Sequence, residues 1–158
     1  MSFIIRKATK NDYLEVNALM SELHGLHVDG RPDIYVKVDS PLVKDYYNIL
    51  LESGLYEVFV LEEDESILVG YTILEIKESS SRMEFVEKKF AYMNDLCIKK
   101  EYRGNGLGKI LFNVAVEFAK KVNGETLELG VWNFNESAIK FYKHMGMSVR
   151  NIRMELKL

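Results

Sequence analysis

The order of segments along the chain predicts an α/β or α+β sandwich, one sheet with helices on both faces. Three observations carry that reading. Runs such as "YEVFVLEE" and "SILVGYTILEIKE" are rich in β-branched and aromatic residues, as strands are. Other segments repeat apolar residues every three to four positions, as helices buried on one face do. The order is also mixed: hairpins come first, then strand, helix, strand, helix, strand.

Each element has its own signal. "FIIRKA" is a short apolar run and predicts a first strand. "TKNDYLEVNALMSELHGLH" follows with cap-type residues, then Tyr13, Val16, Leu19, Met20 and Leu23 at helical spacing. Gly25, Gly30 and Pro32 break that pattern. "SPLVKDYYNILLESG" restarts it, with Ser40 as cap, Pro41 at the first helical position and Gly54 as the stop. The two strand-like runs named above flank the acidic turn "EDES" and form an antiparallel hairpin. "SSSRMEFVEKK" reads as a loop or a protruding hairpin tip. "FAYMNDLCI" is a further strand, and after a glycine-rich turn Leu107, Leu111, Val114 and Phe118 line a helix that ends near Gly124. "TLELGV" is a strand, "NESAIKFYKHMG" a short helix stopped by Gly146, and "SVRNIRMELKL" a last alternating strand. No repeat, low-complexity tract or linker divides the chain, so residues 1–158 are expected to form a single domain.

Composition narrows the function. With 47% hydrophobic and 28% charged residues the chain is an ordinary globular one, and a formal charge of −3 offers no basic field to a nucleic acid. Cys97 is the only cysteine and there are three histidines, so a disulfide and a Cys/His zinc site are both excluded, and no metal is expected. A reducing cytoplasm fits that usage. "MSFIIRKATKND" lacks the pattern of a signal peptide, and no apolar run approaches membrane-spanning length.

The turn "RGNGLGK", Arg103 to Lys109, sits between a strong strand and a strong helix. Gly104, Gly106 and Gly108 permit unusual dihedrals and close approach of a ligand to main-chain N–H groups. The helix behind them leaves its first N–H groups unpaired and adds the positive end of its dipole, so the turn suits a phosphate, with Arg103 a full charge at the rim. A tight turn alone would explain one glycine; three at alternate positions favour the anion site. Two nucleotide loops are excluded by counting. The third glycine of a Rossmann fingerprint falls on Lys109, and a Walker loop would need glycine at Arg103 and Ser or Thr at Ile110.

What the turn does match is Arg or Gln, two residues, Gly, one residue, Gly or Ala, filled by Arg103, Gly106 and Gly108. This resembles the acyl-CoA loop of the GNAT acetyltransferase superfamily. Downstream, Asn135, Ala138, Tyr142 and Gly146 are similar to the second signature of that family, and "YMNDLCI" and "FIIRKATKNDYLEV" resemble its loop-preceding strand and its first strand and helix. The resemblance implies a mixed, mostly antiparallel sheet of six to seven strands in which two parallel strands splay around acetyl-CoA. It implies that Leu96, Cys97 and Ile98 offer main-chain groups to the pantetheine arm, Cys97's side chain being packing, not a nucleophile. Arg103, Gly104, Asn105, Gly106, Leu107, Gly108 and Lys109 would hold the pyrophosphate, with Asn135 and Ala138 beside the pantetheine. Tyr142 would protonate the departing thiolate, a role that suits a phenol whose pKa lies near that of a thiol.

The acceptor side is less marked. Polyamine acetyltransferases, which "YMNDLCIKKEYRGNGLG" resembles, carry Glu-Asp where this chain has Asn94-Asp95. Asn94 cannot be a base, whereas Asp95 can take a proton or attract a cation. Strand alternation puts the two side chains on opposite faces. The connection between the first two helices usually builds the substrate pocket of such folds. Here it holds His24, His27, Arg31 and Tyr35, and it reads either as a pocket wall or as a plain loop. Trp132 reads as core, pocket wall or dimer surface. The expected activity is direct acetyl transfer from acetyl-CoA to a primary amine of a small molecule, by a homodimer. The rivals are an acyl-CoA-binding sensor without catalysis and an acetyltransferase of peptide N-termini.

Overall fold

Alternation sets the strand pairing residue by residue. In the computed structural model, which describes residues 2–64 and 67–158, five strands form one sheet in the order β1-β2-β3-β4-β5. They are β1 (Phe3–Lys7), β2 (Tyr56–Glu63), β3 (Ile67–Glu78), β4 (Lys89–Ile98) and β5 (Leu127–Leu129). The first three contacts between neighbours are antiparallel and β4–β5 is parallel. Of the "EDES" turn, Glu65 and Ser66 lie outside the described residues.

Helices α1 (Tyr13–Gly30) and α2 (Lys44–Glu52) cover one face. Val16, Leu19, Tyr47 and Leu50 pack there on Val58, Val60, Tyr71 and Ile73. Helices α3 (Leu107–Lys121) and α4 (Glu136–His144) cover the other, where Phe112, Ala115 and Phe118 meet Leu74, Ala91 and Met93. Each large apolar side chain removed from water in these layers contributes about 1.5–3 kcal/mol.

One irregularity in β4 governs the site. Ile73 pairs with Asp95 and Leu74 with Met93, so Asn94 is an extra residue opposite no partner, a β-bulge. Ala91 and Met93 therefore face α3, while Cys97 faces α1. A strand of strict period two would have kept all three on one face. At the same point the ladder to β5 ends with Met93↔Leu129, although β4 continues to Ile98, so the two parallel strands part there.

Several expectations change. The predicted strand at 148–158 pairs with nothing among the described residues, which leaves five strands instead of six to seven. Helix α1 runs through Gly25 to Gly30, since an interior glycine costs only about 0.5–1 kcal/mol. Helix α2 starts at Lys44, not at Pro41. The reason lies in α1: the Asn17 amide donates to Ser40 Oγ (2.9 Å), its carbonyl accepts from Leu42 N (3.0 Å), and Tyr13 Oη donates to the Leu42 carbonyl (2.8 Å). Those bonds hold residues 40–42 out of the helix.

Candidate active site

Beyond β4, a short turn at Lys100–Tyr102 leads into the glycine-rich stretch and α3. Gly104 has φ +82° and Gly106, the N-cap of α3, has φ +79°. Both lie in the left-handed region where a side chain is strained. The Lys109 N–H closes on the Gly106 carbonyl at 3.1 Å, but among the described residues the N–H groups of Gly104, Asn105, Gly106, Leu107 and Gly108 meet no main-chain acceptor. Five donors at the positive end of a 15-residue helix make an anion cradle. The side chains stand aside from it. Leu107 is buried in the core, and the Asn105 amide turns back to the Tyr102 carbonyl (3.3 Å). Arg103 is not the free charge expected at the rim: its Nε donates to the Ile98 carbonyl (2.8 Å), and its Nη2 is 3.5 Å from Glu22 Oε2.

Where β4 and β5 part, an acid and a phenol approach from opposite faces. Asp95 Oδ2 accepts from Tyr71 Oη (3.0 Å), and the Asp95 carbonyl accepts from Thr72 Oγ1 (2.8 Å), both partners being fully buried. Burial raises the Asp95 carboxyl, with the Tyr71 hydrogen bond acting the other way. Tyr142, from α4, packs on Phe112 and Phe141, and its Oη lies 3.9 Å from Met93 Sδ. Its phenol is pushed up to about 12, by burial first and then by the charge of Asp95.

Burial thus moves this phenol further from an ordinary thiol, near 8.5, than the sequence alone implies. Burial pushes the Cys97 thiol, two residues from Asp95 on the same strand, up to about 12 as well. Cys97 Sγ faces α1, 3.5 Å from the Leu19 carbonyl, so its side chain belongs to the core on that face. Asn135 caps α4, its Oδ1 accepting from Ala138 N (3.2 Å), and its amide nitrogen donates to nothing among the described residues.

The bulge also corrects the expectation that Asn94 and Asp95 face apart. Asn94 Nδ2 donates to Glu75 Oε2 (3.1 Å) and Asp95 bonds Tyr71. Tyr71 and Glu75 are four apart on β3 and share one face. Both members of the pair therefore reach toward the α1–α2 side. Tyr46 of α2 stands over the same ground, its phenol raised by burial and then by Tyr56, Asp95 and Glu75. An acidic, aromatic basin results, built from α2, β2, β3 and β4.

The residues expected to line the acceptor pocket do come together, around the ring of Tyr35. His27 stacks on it at 5.2 Å and His24 meets it edge-on at 6.0 Å. Trp132 lies at 5.9 Å and donates its Nε1–H to Tyr35 Oη (3.0 Å). The Arg31 guanidinium sits 5.0 Å over the Trp132 ring, paired with Asp33 and Glu155. His24 Nε2 is bonded to the Val36 carbonyl (2.8 Å), and burial lowers the His27 pKa. These contacts tie the end of α1 to the segment after β5.

A sequence profile described as the Acetyltransferase (GNAT) family matches residues 20–147. The chain belongs to the GNAT acetyltransferase family. A Bacillus subtilis (strain 168) protein named provisionally as a ribosomal protein bS18-alanine N-acetyltransferase is 36% identical over 115 residues, 72% of this chain and 69% of that protein. An uncharacterised N-acetyltransferase of Methanocaldococcus jannaschii is 25% identical over 160 residues, covering 96% of this chain but only 63% of the relative. The crystal structure of a mutant Bacillus halodurans protein superposes with a TM-score of 0.95 at 29% identity, covering 98% of this chain and 99% of that one. The chain is thus an acetyltransferase, which sets aside the non-catalytic sensor.

The sequence pointed to the GNAT loop, Asp95, Tyr142 and the members of the Tyr35 cluster, and not to Tyr71, Tyr46, Tyr56 and Glu75, which the fold brings beside Asp95. A partial signal existed: Tyr71, Ile73 and Glu75 alternate on one face of a strand whose neighbour carries Asp95.

Proposed function

We propose that this acetyltransferase moves the acetyl group of acetyl-CoA directly onto a primary amine of a small cationic molecule. The observation that carries the reading is the pairing of unfilled N–H groups at 104–108 with Asp95 and Tyr142 at the point where β4 and β5 part. The fit is by main chain. The N–H groups from Gly104 to Gly108, with Arg103 closing the end of β4, suit a pyrophosphate. The main chain of Leu96, Cys97 and Ile98, free of β5, suits a pantetheine amide, and the Asn135 amide and Ala138 flank the same cleft. Acetyl-CoA supplies the acyl group as an activated thioester.

The remaining chemistry belongs to the protein. Asp95 Oδ1, the oxygen not held by Tyr71, takes the amine's proton, and burial makes that carboxylate a stronger base than an exposed one. Tyr142 Oη holds the proton returned to sulfur as the carbon–sulfur bond breaks. Arg31, His24, His27, Tyr35 and Trp132 act as the wall that positions the connection over the acceptor. A single, buried cysteine suits work in the cytoplasm, and the enzyme acts as a homodimer.

The acceptor's charge is read from the basin. Glu75 and Asp95 supply two carboxyl groups, and Tyr46, Tyr56 and Tyr71 supply ring faces and phenols that favour an ammonium. Glu75 thereby provides the second acid that Asn94 lacks. Thiol release from acetyl-CoA, followed across diamines, neutral amines and amino acids, tests this. Diamines should be preferred, and Glu75→Gln should raise their KM by roughly 10-fold without moving that of acetyl-CoA. Equal rates with anionic amines would overturn the acceptor class. The Bacillus subtilis relative's name favours a second reading, in which a protein's N-terminal alanine is the acceptor. Faster turnover of alanine-starting peptides than of diamines would select it.

A further inference from the structure

The five unpaired N–H groups at 104–108 converge on one anion only if the stretch that carries them is held in place. That stretch has little of its own to hold it. Among the described residues, and its chain neighbours aside, a Cβ placed at Gly104 or Gly106 would meet nothing within 4 Å. The geometry of the cradle is therefore set at its two ends. Downstream, Leu107 and Leu111 are sunk in a core with Leu61, Val69 and Ile98. Upstream lies the short turn Lys100–Tyr102.

Two carboxylates from distant elements grip that turn. Glu22, on α1, accepts from the Lys100 main-chain N–H (3.0 Å) and lies 3.5 Å from Arg103 Nη2. Glu63, the last residue of β2, accepts from Tyr102 Oη. It follows Leu61 by two on its strand and so shares the face that meets α3. Glu63 is only 7% exposed, and its Oε1 has no partner among the described residues, so the Tyr102 hydroxyl is the side-chain hydrogen bond that offsets its burial. The sign of the two charges says what they do. A carboxylate beside a pyrophosphate site repels the ligand, so neither acid serves by attracting it. Each accepts from the turn instead: one fixes its main chain, the other its aromatic ring.

We propose that Glu22 and Glu63 are positioning residues of the donor site, clamping the turn at 100–102 from two sides so that the N–H groups behind it point at the pyrophosphate before it arrives. A loop ordered in advance spares the ligand the cost of ordering it. The proposal rests on the reading that acetyl-CoA is the donor, and it assigns two residues that act on that donor without touching it.

Calorimetric titration of the full chain with coenzyme A tests this, beside thiol release from acetyl-CoA and from S-acetylpantetheine, a thioester that lacks the pyrophosphate. A wild type that takes up no coenzyme A would overturn the donor reading itself. Given wild-type binding, Glu22→Ala and Tyr102→Phe are each expected to weaken coenzyme A by roughly 10-fold and to raise the KM of acetyl-CoA to match, with the effect on KM and not on kcat. The defect is expected to vanish with S-acetylpantetheine. Glu22→Gln, which keeps a carbonyl oxygen for the Lys100 N–H, is expected to restore binding. Should Tyr102→Phe fail to fold with Glu63 left buried and unpaired, the Glu22 variants carry the test, since that side chain is 33% exposed. Coenzyme A binding that is unchanged or tighter in Glu22→Ala, as loss of a repelling charge alone would make it, would overturn the proposal and leave the donor reading standing. So would a loss shared equally by S-acetylpantetheine.

Discussion

Asp95 shows how one residue can set function against stability. Burial raises its folded pKa above the ordinary value of 3.8, so the folded protein holds the proton more tightly than the unfolded chain. The stability contributed by Asp95 is fully present below that ordinary value and is lost as pH rises through the window up to the raised pKa. Above the window the ionised carboxylate is a standing cost. Asp95→Asn should therefore match or exceed the wild type in Tm at pH 7 while lowering kcat/KM by roughly 100-fold or more. It should also abolish the acid limb of the pH–rate profile. Calorimetry beside a pH series checks both; a variant of lower Tm that keeps the limb contradicts the assignment. Asp95 itself was legible in the sequence as a carboxylate beside the loop, but its hold by Tyr71 was not, because a contact between β3 and β4 leaves no local mark.

At the scale of elements, the bulge at Asn94 decides where everything points. It flips β4 between layers, brings Asn94 and Asp95 to one face, and coincides with the loss of the β5 ladder. The strands themselves were readable because alternation is a property of a few consecutive residues. The bulge was not, because "YMNDLCI" carries no glycine to announce it. The start of α2 failed for a similar reason, since Asn17 and Tyr13 act on it from more than 20 residues away. Behind the loop, β3 and β4 approach so closely that a Cβ at Gly70 would lie 2.7 Å from Ile98 Cδ1 and 2.9 Å from the Cys97 carbonyl. Gly70→Ala should cost about 1–3 kcal/mol, read as a lower midpoint in urea, and should weaken acetyl-CoA binding because Ile98 ends the strand that leads into the cradle. An unchanged midpoint would show that the sheet relaxes freely there.

The whole molecule divides its work between two surfaces of unequal legibility. The proposed donor side is one continuous stretch from Leu96 to Lys109, with Asn135 and Tyr142 at a fixed distance downstream, so it reads as a motif in the sequence. The proposed acceptor side draws Tyr46, Tyr56, Tyr71, Glu75 and Asp95 from four elements, and the Tyr35 cluster joins residues 97 positions apart. No spacing rule spans such distances, and the charge of the basin emerged only with the fold. Both surfaces meet at the parting of β4 and β5, where the account has the amine attack directly, Asp95 receiving its proton and Tyr142 returning one to sulfur. Rapid-quench single turnover with labelled acetyl-CoA and a diamine, resolved by intact-protein mass spectrometry, tests that claim most directly. The account predicts that acetylated amine appears in one phase with no acetylated protein at any time, and that Tyr142→Phe slows this phase by roughly 100-fold. Acetyl-enzyme that forms before product, on Cys97 or elsewhere, would contradict it.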